Sequence, residues 1–309
     1  AESITTWKPH VTVKIAFDNY SLKDSGMATL KGLGVDTTGI KTYIIPGERY
    51  WIRDHGAAFL VNKYGDLGVA DFGWDLYGFP AFLELKYEGN KDSVDAALSR
   101  GLKSRLKTGS VDSLTAAAED AVILKTDVVH EGGAIEVNGR GTLILCEATV
   151  FQKNPDMDRE HIKAEFKRVL GVSHIIRMKQ GLADDPHWFL RRIVGDYIGG
   201  GTGGHTDEFV RFADPNTILP AWVDEAEKNQ NPINRMNYER MNENYQILNN
   251  ATDQDGQAFK IIKVPLPDLT PVEGVVRPDV NRKGREDFTL DLGRHPVSTR
   301  CEGCQGRIV

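Results

Sequence analysis

The sequence predicts an α/β fold assembled from a repeated unit of polar junction, hairpin, helix and strand. Three observations predict it. Strand-length apolar runs alternate with stretches of helical periodicity along most of the 309 residues, the pattern of sheets covered by helices. Pairs of strand patterns recur around turn residues, among them Asn138-Gly139, the strongest short hairpin signal. The polar junctions before these hairpins keep a nearly constant spacing, 77 residues from Asp54 to Glu131 and 74 from Glu131 to His205. With negligible identity between the units, this reads as an internal structural repeat.

In chain order, His10 to Phe17 alternate as a strand, and a helix is expected from Ser21 to about Gly32, closed by glycines. The buried strand Thr42-Tyr43-Ile44-Ile45 ends at Pro46-Gly47 and leads to the junction Trp51-Ile52-Arg53-Asp54. Ala57 to Val61 and Leu67 to Phe72 form a hairpin turning through Asn62 to Asp66. Helical periodicity covers Ser93 to Leu106 and Leu114 to Ala121, ahead of the strand Val122-Ile123-Leu124. Glu131-Gly132-Gly133 opens the next unit, with a hairpin of Ala134 to Val137 and Thr142 to Val150. A helix carrying Ile162, Phe166, Val169 and Leu170 on one face follows, stopped by Gly171, and then the strand His174 to Met178. The third junction, Gly204-His205-Thr206-Asp207, sits behind the glycine run Gly199-Gly200-Gly201. After it come a hairpin of Glu208 to Phe212 and Thr217 to Val223, a helix near Arg235 to Leu248, and a strand Ala258 to Val264. If His205 and Asp207 begin the hairpin strand, a period of two sets both side chains on one face.

With 40% hydrophobic residues the chain can bury a sizeable core. A formal charge of −6, both signs interspersed and no basic stripe, argues against nucleic acid and fits a small cation better. Apolar runs such as Thr142-Leu143-Ile144-Leu145 fall far short of the roughly 20 residues a membrane helix needs. Cys146, Cys301 and Cys304 are too few for a disulfide framework, and Cys146 reads as core. Cys301-Glu302-Gly303-Cys304 is a C-x-x-C, but with no second pair and no histidine pair nearby, structural zinc is a weak reading. The start at Ala1, without a signal-type apolar segment, fits a cytoplasmic protein and also an exported one trimmed of its signal.

Arranged around a common axis, the three junctions converge. Asp54, Glu131, His205 and Asp207 then meet from distant points of the chain, and such a cluster is costly to bury unless a cation compensates it. Carboxylates on two sides of a pocket suit a planar guanidinium, whose N–H fork matches their oxygens. The imidazole can carry protons, and a carboxylate bonded to it would hold its tautomer and raise its pKa. A thiolate attacking the guanidinium carbon would complete a hydrolytic deimination. Taken singly, Arg53-Asp54 reads as a surface ion pair and Glu131-Gly132-Gly133 as turn chemistry. Their equivalent places in three units favour the functional reading.

At these residues the chain resembles the agmatine deiminase and bacterial peptidyl-arginine deiminase family of the guanidine-modifying superfamily. The resemblance rests on Trp51-Ile52-Arg53-Asp54, Glu131-Gly132-Gly133 with the Asn138-Gly139-Arg140-Gly141-Thr142-Leu143 hairpin, Asn154-Pro155, and Gly204-His205-Thr206-Asp207-Glu208-Phe209. It spans about residues 40 to 267. It implies a pentein-type α/β propeller of ββαβ units around a pseudo-fivefold axis, with no metal or organic cofactor. Carried over, Asp54 and Asp207 would grip the guanidinium, His205 would be the general acid/base, and Glu131 would bond to and orient His205. Trp51 would line the alkyl part of the substrate, or pack in the core.

The resemblance weakens at the end. Only 42 residues follow Pro267, against the seventy or more that another full unit takes. The expected organisation is therefore a body of four recognisable units over 1–267 and an irregular segment over 268–309, in place of a complete fifth unit. The family's nucleophile is a cysteine in a Gly-Gly-x-x-His-Cys context absent here, so Cys301 is assigned by position and chemistry, with Cys304 second. The expected function is hydrolysis of agmatine to N-carbamoylputrescine and ammonia. The alternatives are an arginine or peptidyl-arginine deiminase, and a non-catalytic guanidinium-binding protein of the same fold. The expected partners are a small cationic guanidino substrate and, in a homo-oligomer, a second copy of the chain, rather than nucleic acid or a membrane.

Overall fold

The described residues of the computed structural model are 2–45, 51–75, 77–78, 89–93, 96, 111–269 and four short strands further on. A short helix α1 (Glu2–Trp7) precedes strand β1 (Lys14–Phe17), helix α2 (Tyr20–Gly32) and strand β2 (Lys41–Ile44), and the two strands pair in parallel. Asn19 starts α2 by accepting from the Leu22 amide at 2.9 Å, satisfying a donor that has no partner inside the helix.

Three units of one topology follow. The first has α3 (Ile52–His55), an antiparallel hairpin of β3 (Ala58–Val61) and β4 (Leu67–Gly73), helix α4 (Val111–Ala118) and β5 (Val122–Val129), which returns parallel to β4. The second has a 3-10 turn (Gly132–Ala134), the hairpin β6 (Glu136–Val137) and β7 (Thr142–Cys146), helices α5 (Glu147–Lys153) and α6 (Arg159–Leu170), and β8 (His174–Met178) parallel to β7. A further hairpin, β9 (Trp188–Val194) with β10 (Tyr197–Gly201), then intervenes. The third unit has a 3-10 turn (Thr206–Glu208), the hairpin β11 (Val210–Asp214) and β12 (Thr217–Trp222), helix α7 (Pro232–Asn249), and β13 (Lys260–Ile261) with β14 (Val264–Pro265) parallel to β12. In each unit the second hairpin strand is the central one.

Local chemistry accounts for the boundaries. Asn138 accepts from the amides of Arg140 and Thr142 at 2.9 and 3.0 Å, closing the β6–β7 turn, whose Gly139 takes φ +70. Asp158 accepts from the amides of Glu160 and His161 at 2.9 Å to start α6, and Gly171 at φ +66 ends it. Strand β7 is buried on both faces: Leu143 and Leu145 join a core with Phe72, Ile162 and Phe166, while Ile144 and Cys146 join another with Met178, Phe209 and Met241. Its unbroken apolar run reflects that double burial.

Several readings change. The strand expected over Thr142 to Val150 stops at Cys146, and α5 takes over. The helix expected from Arg235 begins at Pro232, where Asn231 caps it and a proline is favoured in the first turn. The β9–β10 hairpin occupies a stretch with no sequence signal of pairing. His205 and Asp207 do not begin a strand, because residues 206–208 form a 3-10 turn and the period of two does not apply. The helix read over Ser93 to Leu106 lies largely outside the described residues. Of the segment after 269, the described residues are β15 (Val272–Gly274), β16 (Val276–Pro278), β17 (Phe288–Leu290) and β18 (Gly306–Ile308), with β18 beside β10 and β15.

Candidate active site

The two 3-10 turns and α3 meet where each of the three units begins. Close backbone approach makes this feasible. A side chain at Gly132 would strike the Arg53 carbonyl, and one at Gly133 would strike His205 Nδ1 and Asp54 Oδ1. The Arg53 guanidinium donates to the Ile135 carbonyl at 2.8 Å, and the Thr206 hydroxyl to the Gly133 carbonyl at 3.1 Å, tying the three starts together.

His205 is the centre. Only 3% exposed, its ring has Nε2 2.9 Å from Glu131 Oε2 and Nδ1 3.5 Å from Asp54 Oδ1. Asp54 is steadied from behind by the Tyr77 hydroxyl, which donates to Oδ2 at 2.6 Å. Glu131 is 1% exposed and also accepts from the Lys153 ammonium. Asp207, half-buried, shares the electrostatic field of His205, Asp54, Arg53 and Arg211.

Charge and burial compete in this cluster. Burial disfavours the imidazolium of His205, but the bond to Glu131 and the negative charges of Glu131, Asp54 and Asp207 outweigh it, so its pKa is raised. Burial opposes ionisation of Glu131, yet His205 and Lys153 hold its pKa below the ordinary value. Asp207 is raised, chiefly by burial, with His205 pulling the other way. The result is a largely buried group of three acids around one imidazole.

The glycine-rich approach to His205 is pinned. Asp185 accepts from the amides of Thr202, Gly203 (3.3 Å) and Gly204 (2.6 Å) and from the Thr202 hydroxyl at 2.9 Å, while the Thr149 hydroxyl donates to the Gly203 carbonyl at 2.8 Å. Gly204, at φ +114, passes too close to Cys146 Sγ and Gly181 for a side chain.

Of the residues singled out from sequence, Asp54, Glu131 and His205 are in contact and Asp207 is beside them. Trp51 is 55% exposed at the entry to α3, so the core reading of it is set aside. Cys301 and Cys304 lie outside the described residues. Cys146 is buried, with its thiol pKa pushed up by that burial. Lys153, Tyr77 and Asp185 carried no sequence signal beyond Asn154-Pro155 beside Lys153. Among the described residues no group of three or more His, Cys, Asp or Glu side chains is arranged to hold a metal ion, and no helix is long and apolar enough to cross a membrane. A groove of about 1430 Å³ lined by Arg53, Phe59, Leu60, Glu136, Arg140 and Arg211 reaches none of the four cluster residues.

The sequence model of the Porphyromonas-type peptidyl-arginine deiminases matches residues 2–290. Agmatine deiminase of Pseudomonas fluorescens is 27% identical over 269 residues, covering 86% of this chain and 60% of that protein. The chain thus spans about three fifths of the length of that curated relative. Among solved structures, agmatine deiminase of Enterococcus faecalis superposes with a TM-score of 0.63 at 19% identity, over 94% of this chain and 68% of its own. A substrate-bound agmatine deiminase variant from C. jejuni does so at 0.58 and 20% identity, over 92% and 67%.

Proposed function

The chain belongs to the Porphyromonas-type peptidyl-arginine deiminase family, and from that premise we propose that it hydrolyses the guanidino C–N bond of a small cationic substrate, agmatine first among them. The observation that carries this is His205 held between Glu131 at 2.9 Å and Asp54 at 3.5 Å, with Asp207 alongside. Three acids against the imidazole and the Lys153 ammonium leave room for one more positive charge, and a guanidinium supplies it in the shape that carboxylates bind best. The repeated units serve as blades of a pentein propeller around a pseudo-fivefold axis, with residues 1–267 as its catalytic body.

In this reading Asp54 and Asp207 take the N–H groups of the guanidinium, and Trp51 covers the alkyl chain. A thiolate, assigned to Cys301 with Cys304 second, attacks the guanidinium carbon to form a C–S bond. His205 delivers a proton to the departing amine as the C–N bond breaks, and ammonia leaves. The imidazole then takes a proton from water, whose oxygen displaces the thiolate and yields the ureido product. Glu131 keeps the ring oriented throughout. No redox partner is needed, since one water is consumed and one ammonia released.

Incubation with agmatine and with arginine, assayed for ammonia and ureido product, tests the proposal. Turnover is expected with agmatine and its loss in Cys301→Ala, while turnover surviving both Cys301→Ala and Cys304→Ala would sink the thiolate route. Asp207→Asn is expected to weaken agmatine binding by roughly ten-fold or more. Saturable binding without turnover in the unaltered chain would point instead to a guanidinium-binding protein.

A further inference from the structure

Lys153 ends α5 with a side chain only 1% exposed. A buried ammonium persists only beside anions, and this one has two. Its Nζ bonds Glu131 Oε1 and stands 3.7 Å from Asp75 Oδ1, a buried oxygen with no hydrogen-bond donor among the described residues. The other oxygen of Glu131 is the one that meets His205. One carboxylate is thus divided between a lysine and the histidine expected to move protons.

Resting on the guanidino reading above, we propose that Lys153 is a positioning residue of the His205 centre: it fixes Glu131 through Oε1, and its charge stands against the acids gathered around the imidazole. The groups acting on His205 are Glu131, Asp54 with Tyr77 behind it, Asp207, Glu208 and His130. Arg53 and Arg211 act on Asp207, and Asp75 stands beyond Lys153. Acids dominate this set. A general acid/base must release its proton in every turnover, and Lys153 is the cation that shares the very carboxylate the ring is bonded to. Neighbouring charges within a few ångströms move a pKa by about 1–3 units, so its removal has a measurable sign.

The test follows the His205 ring by NMR in the full chain labelled with 15N-histidine, its signal identified by loss in His205→Gln. Lys153→Met keeps the length of the side chain and deletes the charge. The His205 midpoint is expected to rise by about one pH unit or more, and the pH dependence of kcat on agmatine to move with it while KM changes less than about two-fold. Asp75→Asn deletes the opposing charge on the far side of Lys153 and is expected to lower the midpoint. General loosening of the fold does not produce opposite signs. Shifts of the same sign, or an unmoved midpoint in folded Lys153→Met, overturn the proposal. Where Lys153→Met does not fold, an unmoved midpoint in Asp75→Asn overturns it. If the unaltered chain turns over neither agmatine nor arginine, the guanidino reading fails by itself, and the His205 midpoints still decide for or against Lys153.

Discussion

A methyl group added at Gly133 would be driven against His205 Nδ1 and Asp54 Oδ1, with the Thr206 hydroxyl bonded to the Gly133 carbonyl close by. The absent side chain is therefore part of the cluster's geometry, since it lets an imidazole and a carboxylate from two other units share the same space. Gly133→Ala is expected to separate them, reducing kcat/KM for agmatine by about a hundred-fold while lowering stability by only about 1–3 kcal/mol. Steady-state kinetics alongside urea unfolding would check it, and full activity would show that the contact is not used. The need for glycine was visible in the sequence as Glu131-Gly132-Gly133, but what the space was kept for was not. A residue's neighbours from other units are not encoded in its own segment.

At the scale of elements, the joint between β5 and α5 depends on one side chain. Asn154 accepts from the Val129 amide and donates to the carbonyls of Val129 and Val150, each at 2.9 Å. It thus ties the strand leading to Glu131 to the helix carrying Lys153. Asn154→Ala would strand buried backbone groups and is expected to cost about 2–4 kcal/mol, read as a lower urea midpoint, and to reduce turnover because Glu131 and Lys153 lose their common anchor. Asn154-Pro155 stood out in the sequence, whereas Lys153 did not, because a lysine at a helix end ordinarily reads as a solvated charge. The start of α5 was hidden for a different reason: Ala148, Val150 and Phe151 continue the apolar run of β7, and a helix turn is not distinguishable from strand over so few residues.

At the scale of the whole molecule, two buried histidines contribute to pH stability with opposite signs. His130, buried between Phe72 and Phe166, has its pKa lowered to about 4 by desolvation. Its unfolded value is about 6.5, so between these values the unfolded chain binds the extra proton and stability falls as pH drops. The loss is on the order of 3 kcal/mol. His205 runs the other way: its folded pKa is raised, so its contribution is complete below about 6.5 and is lost as pH rises through the folded value. The urea midpoint of His130→Leu is thus expected to gain on that of the unaltered chain as pH falls from about 6.5 to 4.5. A difference between the two midpoints that does not change with pH in a folded His130→Leu would contradict the assignment.

By itself the sequence determined the α/β repeat, its hairpins and the glycine stops of its helices, and the three junctions from which Asp54, Glu131 and His205 come, because apolar period and turn chemistry are written locally. It did so without strand geometry at His205, where a 3-10 turn does the positioning, and without the β9–β10 hairpin, whose glycines resemble a loop. Only the tertiary structure decided that Glu131 gives one oxygen to Lys153, 22 residues away, and the other to His205, 74 residues away. Which charge offsets which in a buried cluster depends on distances of a few ångströms between separate units, and those exist only once the units have packed.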